Sequence, residues 1–204
     1  RETLLQKRRP IVDALKKSAR FQEFPLGSDD GSSLVQLRTA GAYGWEDQNI
    51  SDSNFPNQNL PASTRAFLLD FRMDMVESWD AHLAMEELGY RPGNSRETLR
   101  FGKDHPNIQR EVWVVGLGDE WRGSGGDRRV VCLGGDAGGR SAGLRYRQRR
   151  WGRGCRFLAF RKESSGTYGS GILEFFLGPW CLDPLDPWQL LPRAILRAGR
   201  FNLC

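Results

Sequence analysis

The residues best equipped for chemistry lie together between Gly139 and Phe157. This stretch holds seven arginines, no lysine and no acid, with Tyr146 and Trp151 among them. Guanidinium forks grip phosphates or carboxylates through paired N–H donors, and aromatic faces stack on bases. Read as a strand from Leu144 to Trp151, its side chains alternate, with neighbours on one face roughly 6.5–7 Å apart. Arg145, Arg147 and Arg149 then share a face with Trp151, while Leu144, Tyr146 and Gln148 share the other with Arg150. Arg153 carries the basic character past the strand. Such a row suits an RNA backbone. It also suits an acidic protein surface, or a solvated strand whose charges discourage edge-to-edge association.

A second basic cluster, Lys7, Arg8, Arg9, Lys16 and Lys17, lies in residues 1–24. Leu4, Leu5, Ile11, Val12 and Leu15 give this segment a partial apolar stripe, so it reads as a basic helical arm. Pro10 suits a first helical turn, and the regular helix is expected to begin there. Charge is uneven along the chain. Residues 1–20 hold seven Lys/Arg against two acids, residues 21–120 eight against seventeen, and residues 121–204 fifteen against six. An acidic middle confines any polyanion to one side of the molecule.

Catalytic patterns are absent or incomplete. Asp104 and His105 are adjacent, but sequence neighbours on a strand point apart and no nucleophile stands near. Asp70, Asp74 and Glu77 gather on one helical arc without the Glu-x-x-His partner of a carboxylate metal site. His82 falls inside an apolar arc, where a core role is the commoner one. Gly116-x-Gly118 meets Trp121 where a dinucleotide fingerprint needs glycine, and no glycine cluster runs into Gly-Lys-Ser/Thr. Gly169-Ser170-Gly171 lacks the five-residue nucleophile elbow. The glycines read as turns. Asn49-Ile50-Ser51 is a glycosylation triplet of a kind that arises often by chance. Cys132, Cys155, Cys181 and Cys204 are spaced far wider than zinc ligands. No catalytic residue, metal ligand or cofactor is assigned.

The elements that must position the arginines give an α+β fold, with helices mainly in the N-terminal half and an antiparallel sheet of about five strands in the C-terminal half. The longest predicted helix is 62–88, entered after Pro61 and left at Gly89. Its apolar arc includes Phe67, Phe71, Met75 and Trp79, with Trp79 at the centre. Residues 33–39 read as a short strand and 89–108 as a polar connection. Residues 40–59 read as an extended segment that anchors on a neighbouring chain through Tyr43, Trp45 and Phe55. Strands are expected at 112–115, 129–133, 144–151, 156–161 and 172–177, the sheet spanning about 111–177, with a closing helix at about 189–198. The domains are then the arm, 1–24, and a single α+β domain, 25–204.

Apolar residues make up 39% and charged residues 27%, which suits a folded core. No run of about 18 apolar residues occurs, so no transmembrane helix is expected. The chain begins at Arg1 rather than Met, and removal of a leader, tag or precursor segment is expected, as an organellar transit peptide, a secretory signal or an artificial chain boundary, with an organelle interior (mitochondrial or plastid) slightly favoured over cytoplasm. The expected role is a non-catalytic subunit of a larger assembly that contacts RNA or an acidic partner, such as an organellar ribosomal or respiratory-complex accessory protein. The alternative is an enzyme whose cleft residues are scattered along the chain. A basic face with exposed aromatics separates the first reading from a deep polar pocket around His82 or His105. The cysteines read as reduced thiols, so intact mass should be unchanged by reductant; a gain of two or four protons would overturn that.

Overall fold

Continuous apolar runs at 66–69, 114–115, 130–133 and 157–160 bury alternate side chains on opposite faces of one sheet, which therefore needs a layer of cover on each side. The computed structural model describes residues 3–56, 63–136 and 138–162. In chain order the elements are α1 (Leu4–Ser18), β1 (Arg20–Pro25), α2 (Leu34–Ala40), β2 (Trp45–Glu46), β3 (Arg65–Asp70), β4 (Met75–Glu77), α3 (Ser78–Glu87), β5 (Tyr90–Pro92), α4 (Ser95–Asp104), α5 (Ile108–Glu111), β6 (Trp113–Val115), β7 (Trp121–Arg122), β8 (Arg128–Asp136), β9 (Gly139–Tyr146), β10 (Arg150–Gly152) and β11 (Cys155–Arg161). The expected strand at 172–177, the helix at 189–198, Cys181 and Cys204 lie outside the described residues.

The fold is α+β. The main sheet runs β1-β3-β11-β6-β8-β9-β2, with β5 beside β11 and β7 beside β8. It is mixed rather than antiparallel throughout: β11 pairs with β6 and β2 with β9 in parallel. Its nine strands exceed the five expected, and β1 and β3 bring the N-terminal half into it. One face packs Phe67, Leu69, Val115, Val130 and Phe157 against Val12 and Leu15 of α1 and Ala81, Ala84 and Met85 of α3. The other packs Leu68, Val114, Val131, Leu133 and Leu158 against Leu34 and Leu37 of α2 and Leu99 and Phe101 of α4.

Several expectations are corrected. The helix at 62–88 is instead β3, β4 and α3. Ala66 and Leu68 face one core layer and Phe67 and Leu69 the other, so a central strand presents an unbroken apolar run that mimics a helix. Asp70, Asp74 and Glu77 consequently share no helical face. The strand at 33–39 is α2, entered through a Ser33–Gln36 capping box. The connection at 89–108 holds β5 and α4, the latter capped by the same reciprocal device between Asn94 and Glu97. Residues 3–24 are not a free arm: α1 starts at Leu4 behind a Thr3–Gln6 capping box, runs through Pro10, and buries Val12 and Leu15. Within 40–59, Ile50 and Phe55 are buried in the chain's own core, and Arg140 lies over the half-buried Tyr43 ring. Of the three expected anchors only Trp45 is exposed.

Burial reverses the roles of two tryptophans. Trp79 is 56% exposed, whereas Trp151 is 1% exposed. Trp79→Ala should therefore change stability by less than about 0.5 kcal/mol. Trp151→Ala should cost about 3–5 kcal/mol as a cavity mutation. Denaturant midpoints of the two variants check this, and equal losses would overturn the packing described.

Candidate arginine–aromatic interface

The arginine-rich stretch is not one strand. Strand β9 ends at Tyr146, residues 147–149 turn, and β10 begins at Arg150. The turn closes with the Arg149 N–H on the Tyr146 carbonyl at 3.3 Å, and the Arg147 N–H still reaches the Arg128 carbonyl of β8 at 2.8 Å. Antiparallel pairing of β10 with β4 then sets Arg150 opposite Glu77 and Trp151 opposite Val76.

Trp151 holds this arrangement from beneath. Its indole Nε1–H donates to Ser78 Oγ at 2.7 Å, and the Ser78 hydroxyl donates to the Arg147 carbonyl at 2.5 Å. One face of the ring packs under the Arg149 guanidinium, 5.1 Å from its centroid, and its edge meets Phe157. Trp151 is thus a core residue and cannot stack a base, which corrects the role expected of it. Sequence gives no hint of the turn: 147–149 contains neither glycine nor proline.

Exposed apolar side chains gather here instead. Trp45, Met75 and Tyr146 are each about half exposed, as is Trp79. A groove of about 620 Å³ is lined by Trp45, Met75, Tyr146, Arg145, Arg149 and Arg150, among others. A smaller one of about 250 Å³, lined by Trp79, Arg128, Arg147 and Gln148, lies on the other flank of the turn. Trp45 can lie on β9 because Gly143 has no side chain; a Cβ there would stand 2.9 Å from the Trp45 ring. Gly134 seats Trp113 in the same way, and Arg145 covers Trp113 at 5.1 Å. These two glycines serve close approach rather than turns.

Most of the arginines are already paired. Arg147 reaches Glu120 at 3.4 Å and the Leu117 carbonyl at 3.0 Å. Arg150 meets Glu77 at 3.4 Å, Arg153 meets Asp74 at 2.5 Å and Arg156 meets Asp70 at 3.0 Å. Arg145 and Arg149 have no carboxylate partner among the described residues. Their faces rest on tryptophan rings, and apart from a 3.3 Å bond from Arg145 to the Leu144 carbonyl the N–H edges of the forks are left for an anion. The N-terminal cluster is likewise committed. Arg8 bridges Glu77 and Asp80, and Arg9 and Lys16 both hold Glu87. Lys7 and Lys17 keep no carboxylate partner among the described residues, and they sit on α1, away from this groove's lining.

Neither histidine lines these grooves. The His105 ring contacts the Pro25 carbonyl at 2.5 Å and packs between Phe24 and Phe101, while Asp104 accepts the Gly27 N–H at 2.9 Å. These neighbours brace the end of β1 separately and form no acid/base pair. His82 sits 3.6 Å from Glu86, and burial lowers its pKa, partly offset by that carboxylate. Among the described residues no three His, Cys, Asp or Glu side chains converge as a metal site would need. Cys132 and Cys155 are free thiols, and burial raises both pKa values. No described helix is long and apolar enough to cross a membrane.

Glu77 links the two basic segments, and the hydrogen bond from Arg8 holds its carboxyl below the usual range, helped by the charges of Arg8 and Arg150. A depressed carboxyl contributes stability above its unfolded pKa and loses it as pH falls through the folded value. Glu77→Gln should therefore lower the melting temperature at neutral pH and converge on the parent in acid. A gap that persists undiminished in acid would remove the ion pairs as its cause. No family model matches this chain, and no curated protein or solved structure matches it either.

Proposed function

We propose that the protein is a non-catalytic binding subunit that docks an anionic partner, RNA or an acidic protein surface, on the arginine–aromatic strip around 145–150. The observation that carries this reading is the gathering of four exposed large apolar side chains, Trp45, Met75, Trp79 and Tyr146, in grooves flanking one arginine turn. Exposed apolar groups clustered beside charge mark contact surfaces, whereas scattered ones need no explanation. Aromatic and arginine side chains are also the residues that dominate binding energy at interfaces. Arg145 and Arg149 supply the uncompensated charge. The paired Arg147, Arg150 and Arg153 supply shape more than affinity, because an incoming anion must displace a carboxylate already in place.

Titration with polyuridylate and with polyglutamate over a range of salt tests the reading. The parent should bind at least one of them. Two phosphate contacts predict a slope of about −1.4 in log affinity against log salt for single-stranded RNA. Arg145→Gln with Arg149→Gln should remove that slope and lower the melting temperature only modestly, since neither guanidinium has a carboxylate partner among the described residues and each gives up one contact with a tryptophan ring. Binding by the double variant equal to the parent's, with the same salt response, would exclude the strip as the contact.

A further inference from the structure

We infer that the open outer edge of β9 takes an extended acidic peptide as an added strand, lying beside Leu144–Tyr146 and continuing the line that β2 begins. This deepens, and rests on, the reading of the strip as a docking surface for an anionic partner.

The backbone carries the first part of the argument. Strand β2 pairs with β9 only at Ser141 and Ala142. Past Ala142 the outer side of β9 has no strand partner among the described residues. The direction of its polar groups follows from the bonds at either end. The Arg140 and Ala142 carbonyls accept the Gly44 and Asp47 N–H groups on the outer side, both at 2.9 Å, while the Arg147 N–H points inward to β8. In an antiparallel ladder the N–H and C=O of one residue point to the same side, and successive residues alternate. Leu144 and Tyr146 therefore turn both groups outward. Their carbonyls are met only at 3.3 Å, by the Arg145 side chain and the turn N–H of Arg149. Two donors and two loosely held acceptors at strand spacing form a template for a peptide backbone. A nucleic acid offers no match to that repeat.

The side chains decide what peptide. Edge strands are ordinarily blunted by lysine, proline or a bulge. Strand β9 carries no lysine or proline, and its open end is flanked by exposed Trp45, Met75 and Tyr146. Arg145 and Tyr146 are successive residues and project from opposite faces of the sheet. A partner strand alternating acidic and apolar residues sets its carboxylates toward Arg145 and its apolar side chains toward Tyr146. The fork of Arg145 accepts a carboxylate in a bidentate pair, and Arg149 adds the second uncompensated charge at the same rim.

The test uses fluorescence anisotropy on the full chain with three labelled probes. These are an octapeptide alternating glutamate and valine, the same octapeptide N-methylated at alternate amides, and an octauridylate. The plain peptide should bind about tenfold tighter than the methylated one, because the lost N–H groups are those that pair. Arg145→Gln with Arg149→Gln should weaken it about tenfold or more. Tyr146→Pro, which removes an outward N–H, should weaken it about fivefold beyond Tyr146→Ala, which removes only the ring. Should Tyr146→Pro fail to fold, the two peptides still decide. Equal affinity for both peptides would overturn strand addition and leave the docking surface standing. So would tighter binding of octauridylate lost in the double arginine variant, which would make the strip a nucleic-acid site. Self-association abolished by Tyr146→Ala or Tyr146→Pro would assign the edge to a second copy of the chain. Indifference of all three probes to the arginine changes would overturn both the inference and the reading beneath it.

Discussion

Much of this structure depends on one buried relay, from the Trp151 indole through the Ser78 hydroxyl to the Arg147 carbonyl. Each member satisfies the next, so a large aromatic ring enters the core without leaving its N–H unpaired. Ser78 is also the first residue of α3, and Trp151 lies opposite Val76 on the small β10–β4 sheet. The relay thereby fixes the turn at 147–149 against the helix layer. It sets where β9 ends, which arginines face outward and, among the described residues, how far the sheet edge remains unpaired.

The charge map has a comparable logic. The basic ends and the acidic middle of the chain are distant in sequence and meet in space. Glu77 and Asp80 receive Arg8 from α1, and Asp70, Asp74 and Glu77 receive Arg156, Arg153 and Arg150 from the arginine stretch. Individually the exposed pairs, such as Arg153 with Asp74, are worth about 0–1 kcal/mol, whereas the Asp80 carboxylate is buried and needs Arg8 as its partner. Collectively they cancel most of the field that a linear count of arginines implies. Within the turn at 145–150 this leaves Arg145 and Arg149 without a carboxylate among the described residues, each lying over a tryptophan ring.

The buried polar pairs have a different purpose. The Glu97 carboxylate, itself almost closed to water, accepts the Asn94 N–H and both Nη groups of Arg91, the latter at 2.9 and 2.7 Å. A carboxylate so enclosed must have its acceptors filled. The arrangement fastens the start of α4 to β5, and so to the far side of the sheet from the arginine turn.

Sequence alone determined the α+β class and the strands near 112–115, 129–133 and 156–161. Composition and short apolar runs bounded by glycine carry that information locally. It misjudged 62–88, because a strand buried on both faces has no polar alternation and reads like a helix. The capping boxes at Ser33–Gln36 and Asn94–Glu97 were legible there and would have recovered α2 and α4. Tertiary structure alone decided that Trp151 is core and Trp79 surface, since Ser78 and Val76 lie more than seventy residues from Trp151 along the chain. It alone decided which arginines of the 145–156 stretch are free, because the carboxylates that neutralise the others, Glu120, Glu77, Asp74 and Asp70, come from remote elements. Spacing along a chain reports which face a side chain takes; only packing reports what meets it there.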